Sequence, residues 1–263
     1  MQYIKTDEHI HQLCQTIAKV NRTFVPKQDD DSHTNLYFND MDARIVGRQV
    51  ATKLGSLVFS LNLHSYEFEW LDLGKNAIQS FDIDGKTIAQ FEDEIAHKLS
   101  DLGLDSKGFK DELHFEISDY SFKKEAFNCP DDDAMEEWMA YRSMGNQVCT
   151  LLAGHANINA EVRIWPHHFD TGVYFELPNG TGIGFGLAMS DSILNAPYLY
   201  MTAYPKNGDI NYNEAPDLSV GQWHTSPNFS GALLNCNIPL EELQELFPEY
   251  LLTAYQWFAN QTL

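Results

Sequence analysis

Residues 171–189 have the sequence TGVYFELPNGTGIGFGLAM, which predicts a β-hairpin and decides the fold of this part of the chain. Apolar residues alternate with polar residues or glycine on both sides of a three-residue loop, PNG at 178–180. A type I turn followed by a left-handed glycine pairs Leu177 with Thr181 across this loop. The resulting pairs are Phe175 with Ile183, Val173 with Phe185 and Thr171 with Leu187. Apolar residues then meet on one face of the hairpin, as burial requires.

The next segment, PYLYMTAYP at 197–205, predicts a third strand beside the hairpin. If Leu199 and Met201 stay on the buried side, its tyrosines must lie on the same face as the glycines of 182–186. Those glycines alternate with apolar residues inside a strand, so they do not form the turn of a dinucleotide site. The three consecutive antiparallel strands are predicted at 168–177, 181–189 and 197–204.

The remainder of the chain mixes short strand patterns with helical patterns, which predicts the α+β class with mainly antiparallel sheets and packed helices. Further strands are predicted at 56–63, 66–73, 78–86 and 113–118, and helices at 7–20, at 87–102 and from about 131. The charged connection at 119–130 predicts a division into two α+β halves, 1–127 and 128–263.

One face of the predicted three-stranded sheet is a candidate site, with a glycine floor between a tyrosine wall and a wall of His, Asp, Tyr and Glu. The catalytic candidates are His168, Asp170 and, from the WHT segment, His224. A histidine polarised by a carboxylate suffices for acid–base chemistry, and two histidines with one carboxylate also form a metal set with open positions. The candidate ligand-binding residues are Tyr174, Gly184, Gly186, Ser190, Asp191, Tyr198 and Tyr200.

The same face has a purely structural interpretation that the sequence leaves open. Antiparallel sheets commonly expose one polar face, and tyrosines over glycines can simply cover a weak strand. The C-terminal helix, with Tyr255, Trp257 and Phe258, is another candidate cover for the glycine strip.

The WPHHFD segment, 165–170, is where the alternation of apolar positions changes parity, which predicts a bulge or corner at Trp165 and Pro166. Beyond the bulge, His168 and Asp170 are two apart on a strand and should point the same way. His167 should then point to the opposite face as a packed, hydrogen-bonded histidine. Elsewhere, His9 and His11 are two apart on a helix and are predicted to lie on the surface.

The composition limits the partners and the compartment. A formal charge of −21 repels nucleic acid and anionic membrane surfaces, and the sequence has neither a secretory signal nor an apolar run of about 20 residues. Cys14, Cys129, Cys149 and Cys236 form no C-x-x-C pair, which predicts reduced, buried thiols in a cytoplasmic protein. No pattern identifies a cofactor, and whether a metal binds stays open.

Several segments together resemble a family of uncharacterised, mostly bacterial proteins of unknown function. They are WPHHFD, the glycine strand ending in Ser190-Asp191, PYLYMTAYP, WHT, RIVGRQVATKLGSLVFSLNLHSYEFEW and FDIDGKTIAQFEDEIAHKLSDLGL. The resemblance covers most of the chain by pattern and order, and it implies a cytoplasmic bacterial protein without assigned catalytic residues. WPHHFD departs from the simpler aromatic-x-x-Phe-Asp pattern of some members, so the resemblance gives His167 and His168 no role.

Two functions are therefore predicted for the glycine-tyrosine face. The first is binding of a small molecule in a trough beside His168 and Asp170, with catalysis undecided. The alternative is a noncatalytic protein–protein interaction or homo-oligomerisation module that uses the same face.

Overall fold

The computed structural model describes residues 2–261 of the chain, and the described part has four α-helices and two antiparallel sheets. The predicted α+β class is confirmed. The helices are α1 (Gln2–Phe24), α2 (Ile88–Lys98), α3 (Asp132–His155) and α4 (Leu240–Ala259). The strands are β1 (Tyr37–Asn39), β2 (Arg44–Thr52), β3 (Gly55–Asn62), β4 (Glu67–Asp72), β5 (Ala77–Asp82), β6 (Arg163–Ile164), β7 (Thr171–Glu176), β8 (Gly182–Ala188), β9 (Tyr198–Tyr204), β10 (Gln222–Thr225) and β11 (Ser230–Asn235).

The chain forms two compact units that divide it inside α3. The first unit runs to Ser143 and includes Arg163–Phe169, and the second comprises Met144–Val162 and the chain from Asp170 onward. The division into independent halves at 127/128 stays a prediction. The boundary between the two compact units lies between Ser143 and Met144, so the continuous helix α3 contributes residues to both units.

The first unit is built on a five-stranded sheet in the order β1-β2-β3-β4-β5. Helix α1 approaches β2 so closely that a Cβ on Gly47 would lie 2.5 Å from Asn21 Oδ1 and 2.9 Å from Ile17 Cγ2. The predicted helix at 87–102 is confirmed as α2 followed by a 3-10 turn, and a capping box between Thr87 and Gln90 fixes its start. Local sequence signals therefore give this unit its regular elements.

The predicted strand at 113–118 is wrong. No backbone hydrogen bond involves residues 113–117 within the described chain, so the segment lacks the ladder that defines a strand. The Arg22 guanidinium instead binds the backbone carbonyls of Gly108 (2.7 Å) and Glu112 (2.9 Å), which holds the preceding loop in an irregular path. Leu113, Phe115 and Ile117 are half-buried and alternate with exposed residues, which explains why the sequence pattern resembled a strand.

The second unit carries five strands of the other sheet, in the order β10-β11-β9-β8-β7. The predicted hairpin register is confirmed: Phe175 pairs with Ile183, Val173 with Phe185 and Thr171 with Leu187. The loop closes as predicted, with Leu177 N donating to Thr181 O (2.8 Å) and Gly180 in the left-handed region at φ +85°. The first predicted strand, 168–177, starts too early, because β7 begins at Thr171 and residues 168–170 lie outside it.

Helices cover the apolar face of this sheet and leave the glycine face. A Cβ on Gly145 of α3 would lie 3.2 Å from Thr171 Cβ, and Phe247 of α4 lies 6.1 Å from Phe185 between ring centroids. The Tyr250 hydroxyl of the same helix donates to Ala232 O (2.9 Å). The alternative in which the C-terminal helix packs on the glycine strip is therefore wrong, since α4 packs on the opposite face.

Candidate binding face of the second sheet

Strand register places most of the predicted site residues on one face of the second sheet. Gly184 pairs with Tyr174 on β7 and with Thr202 on β9, and His224 of β10 pairs with Gly231 of β11. Gly186 pairs with Gly172 and Tyr200, one step along the same face. Alternation of side chains then puts Tyr174, Tyr200 and His224 on the face that bears the glycines, as predicted.

The glycines on this face lie beneath aromatic rings. A Cβ on Gly182 would lie 2.3 Å from Tyr174 Oη, and one on Gly184 would lie 3.3 Å from Tyr204 Cε2. One on Gly231 would lie 2.9 Å from Phe229 Cζ, whereas one on Gly186 would meet the backbone of β7 and the Tyr200 hydroxyl (2.9 Å). The predicted open trough is thus filled by the protein's own rings. The surface is an aromatic layer made of Tyr174, Tyr200, Tyr204 and Phe229.

Two rings of the aromatic layer are exposed. Tyr174 is 42% exposed and Tyr204 is 56% exposed, and their ring centroids are 6.1 Å apart at an interplanar angle of 54°. Phe229 continues the layer toward β10, with its ring 6.3 Å from Tyr200 and 6.1 Å from His224. The layer therefore presents aromatic surface across four strands.

Two tyrosine hydroxyls on this face donate to carboxylates. Tyr200 Oη donates to Asp170 Oδ2, and Asp170 is only 8% exposed. Tyr198 Oη donates to Asp191 Oδ2 at 2.7 Å. Burial, reinforced by the neighbouring carboxylate, raises the pKa of both Tyr198 and Tyr200 well above the usual value for tyrosine. Both hydroxyls therefore remain protonated donors at neutral pH.

The loop after β8 uses its polar residues to hold its own shape. Asp191 Oδ1 accepts from the backbone N–H of Ile193 (2.7 Å) and Leu194 (3.2 Å), and Ser190 Oγ donates to Asn195 Oδ1 (3.3 Å). These bonds position the Asp191 carboxylate for Tyr198. Ser190 and Asp191 thus lie at the end of the aromatic layer, but their hydrogen bonds are internal.

The three catalytic candidates are not brought together. Asp170 directly precedes β7 and His224 lies on β10, with β8, β9 and β11 between those strands. At about 4.8 Å per strand, their backbones are roughly 19 Å apart. His168 belongs to the first unit and lies in a turn at 166–168, so strand alternation does not align it with Asp170.

The WPHHFD segment is a turn rather than a bulged strand. Phe169 N donates to Trp165 O (2.7 Å). Phe169 also has φ +60°, a left-handed backbone conformation that is incompatible with a regular strand. His167 and His168 are both exposed, and the ring of His167 lies beside Phe115, 5.6 Å away. The prediction of a packed His167 is wrong. It relied on side chains alternating between the two faces of a strand, and residues 166–168 form a turn instead.

Helical side chains that the sequence reasoning missed hold this turn. His11 Nε2 bonds Pro166 O (2.9 Å), and Gln15 Nε2 donates to the same oxygen (2.9 Å). Arg142 is fully buried and donates to Phe169 O (2.7 Å) and to Asp7 Oδ1 (2.8 Å). His11, predicted at the surface, is buried. The sequence feature that could have indicated these contacts is Arg142, a cation on the apolar side of α3.

The protonation state of His11 follows from its partners. A carbonyl can only accept, so Nε2 must carry the hydrogen that meets Pro166 O. Burial lowers the pKa of His11, so the ring is neutral at pH 7 and Nδ1 accepts from the Tyr120 hydroxyl (2.8 Å). The ring also stacks on Phe169 at 4.6 Å between centroids. His11 thus acts as a structural hydrogen-bonding residue.

Comparison with protein-family models, with curated proteins and with solved structures finds no match to this chain. The resemblance to an uncharacterised bacterial family stays a prediction.

Within residues 2–261, no three His, Cys, Asp or Glu side chains are grouped so that they could hold a metal ion. Cys14, Cys149 and Cys236 are buried but Cys129 is exposed, whereas the sequence predicted four buried thiols. No helix in the described part of the chain combines the length and apolarity needed to cross a membrane.

Proposed function

We propose that the aromatic layer of the second sheet binds a small molecule that has a flat face and carries no negative charge. One observation carries the proposal: three glycines on this face, Gly182, Gly184 and Gly231, lie beneath aromatic rings. The absent side chains allow the rings to lie against the backbone, which creates a continuous aromatic surface.

The charges around the layer restrict the ligand. Asp170 and Asp191 lie at one end of the face, and Glu176 pairs with Gly182 at the other. These carboxylates repel anions, whereas the faces of tyrosine rings attract cations and pack against the C–H groups of sugar rings. The proposed ligands are therefore neutral rings or organic cations. The wide separation of Asp170 from His224 does not support joint acid–base catalysis, so the proposal is binding alone.

Ligand-observed NMR with three probes tests this proposal: methyl β-glucoside, choline and benzoate. We expect the glucoside and choline to bind and benzoate to be excluded. Tyr204→Ala should weaken choline binding by about twofold to thirtyfold, the range that corresponds to about 0.5–2 kcal/mol for a cation on an aromatic face. Tyr255→Ala is the matched control, because Tyr255 is a half-buried tyrosine on α4.

Three results contradict the proposal. One is the absence of binding by both the glucoside and choline. Another is benzoate binding as tightly as choline, which would show that the carboxylates do not select by charge. The last is equal choline affinity in Tyr204→Ala and Tyr255→Ala.

The exposure of Tyr174 and Tyr204 also favours the second candidate, homo-oligomerisation through this face. Exposed tyrosines on a flat surface are typical of protein interfaces. Tyr198 is only 2% exposed, so a dimer would be detected through Tyr174 and Tyr204 instead. Sedimentation of the wild type and of Tyr174→Ser/Tyr204→Ser distinguishes the functions, because only an oligomer that uses this face dissociates in the double variant.

A further inference from the structure

The first unit contains a cavity of about 550 Å³ against its five-stranded sheet, separate from the aromatic layer. Cationic, amide and aliphatic side chains of β1 to β4 and of the following loop line it. Among them are Arg44, Arg48 and Lys75. Three cations therefore lie around one cavity in a chain whose formal charge is −21. The lining also includes two carboxylates, Asp42 and Asp72.

The two lining carboxylates are bound to neighbouring groups. Asp72 accepts from the backbone N–H of Asn76 (2.9 Å) and from its Nδ2 (3.0 Å), so a tight loop satisfies this carboxylate. Asp42 accepts from Asn39 Nδ2 (2.8 Å) and pairs with Lys75, whose proximity lowers the pKa of Asp42. These partners reduce the repulsion that the two carboxylates exert on an incoming anion.

The position of Arg48 is fixed by a bulge in β2. The register with β3 shifts between Val46 and Gln49, so two residues of β2 lie opposite one. Asn21 is fully buried, and its Oδ1 accepts from the backbone N–H of Arg48 (2.9 Å). The Arg48 guanidinium lies over the Tyr37 ring, 4.8 Å from the centroid, and Nη2 donates to Ser32 O (2.8 Å). The cation is thus oriented by the fold itself.

The other part of the lining is aliphatic. It consists of Val25, Val46, Val58, Leu71 and Leu73. Leu73 is 64% exposed, so an apolar chain in the cavity would cover its side chain. Arg44 lies beside this surface and is held by a 2.8 Å ion pair with the buried Glu69. Oriented cations and an aliphatic surface therefore occur together in one cavity.

We propose that this cavity binds a small organic acid with an apolar chain. Its carboxylate would interact with Arg48 and Lys75, and its chain would cover the aliphatic side chains, including Leu73. The site is independent of the aromatic layer, which excludes anions. The same protein would then bind two chemically opposite kinds of ligand on its two units.

Calorimetric titration with three six-carbon probes tests the proposal: hexanoate, 1-hexanol and hexylammonium. We expect hexanoate to bind at least about tenfold more tightly than hexanol, a difference of about 1.4 kcal/mol, and hexylammonium to bind least. Lys75→Gln and Arg48→Gln should each remove most of the preference for hexanoate over hexanol. Leu73→Ser should weaken hexanoate and hexanol alike.

Lys107→Gln is the matched control, since Lys107 is an exposed lysine that does not line the cavity. Lys75 is also largely exposed, so its variant should fold normally and the result does not depend on Arg48→Gln. Equal affinities for hexanoate and hexanol would overturn the proposal. So would a hexanoate affinity that Lys75→Gln and Lys107→Gln leave equally unchanged.

Discussion

The β7–β8 hairpin and the WPHHFD turn hold their shapes in different ways. The hairpin is closed by neighbouring residues: Gly180 takes a left-handed conformation, and Leu177 bonds Thr181 across the loop. The turn has φ +60° at Phe169, which costs a non-glycine residue roughly 1–2 kcal/mol. Its carbonyls are bound by α1 and α3 side chains, some more than 150 positions away in sequence.

This difference separates a self-contained element from one that depends on tertiary contacts. A change far from the hairpin should leave its register intact, because its turn and cross-strand pairs remain. A change in α1 or α3 should release the turn, since its unfavourable backbone conformation persists only while the carbonyls are bound.

The largest expected effect is from Arg142→Met. The substitution removes the fully buried cation that pairs with Asp7 and donates to Phe169 O, and among the described residues it leaves Asp7 with only the hydrogen bond from Trp138 Nε1 (2.7 Å). We expect a loss of about 3–5 kcal/mol in the free energy of unfolding, measured by urea denaturation followed by circular dichroism.

Lys98→Met is the matched control, because Lys98 is an exposed cation on α2 whose ion pair with Asp101 is on the surface. It should change the unfolding free energy by less than about 1 kcal/mol. Similar effects for the two substitutions would mean that Arg142 is not what holds the turn.

The regular parts of the fold were predictable because their signals are local. The three-residue loop ending at Gly180 sets the hairpin register, and the capping box at Thr87 marks the start of α2. The strand at 113–118 was predicted from the same kind of alternation and failed. Alternation reports which side chains are buried, whereas a strand also needs a partner backbone, and the sequence does not contain that information.

The candidate site was predictable only in part, for the same reason. Strand register correctly placed Tyr174 and Tyr200 on the glycine face, but periodicity could not show that the rings lie down over the glycines. It also could not show that β10 lies at the far side of the sheet, which separates His224 from Asp170. Strand order is a tertiary property, and spacing along the chain does not determine it.

A smaller effect is expected from Gly186→Ala, which tests the hairpin side of the comparison. The new Cβ would lie 2.4 Å from Thr171 O and 2.9 Å from Gly172 Cα. Backbone atoms of β7 cannot turn aside as a flexible side chain can, so the strands must shift. We expect a loss of about 1–3 kcal/mol in the free energy of unfolding, read from urea midpoints at constant slope.

Substitutions at two other glycines provide comparison values for the change in unfolding free energy. Gly182→Ala meets the movable Tyr174 ring and should cost less than Gly186→Ala. Gly154→Ala lies in α3 with nothing within 4 Å of the new Cβ, so it should stabilise the protein by up to about 1 kcal/mol. A Gly186→Ala protein as stable as Gly154→Ala would rule out the close β7–β8 approach.

The last prediction returns to the turn and concerns pH. Burial holds the pKa of His11 below its usual 6.5, so the unfolded chain binds a proton at this residue more readily than the folded protein does. Stability must then fall as the pH drops below about 6.5, and it keeps falling until the folded-state pKa is passed. His9, His33 and His167 also have lowered pKa values and contribute in the same direction.

His11→Gln isolates the share of His11 in this pH dependence. An amide can donate to Pro166 O and accept from the Tyr120 hydroxyl, as the neutral ring does, but it does not titrate. Urea unfolding at pH 7, 6 and 5 should therefore show a smaller loss of stability in the variant than in the wild type. Parallel losses would mean that His11 is already solvated in the folded protein, and the turn would then lack the buried contact that distinguishes it from the hairpin.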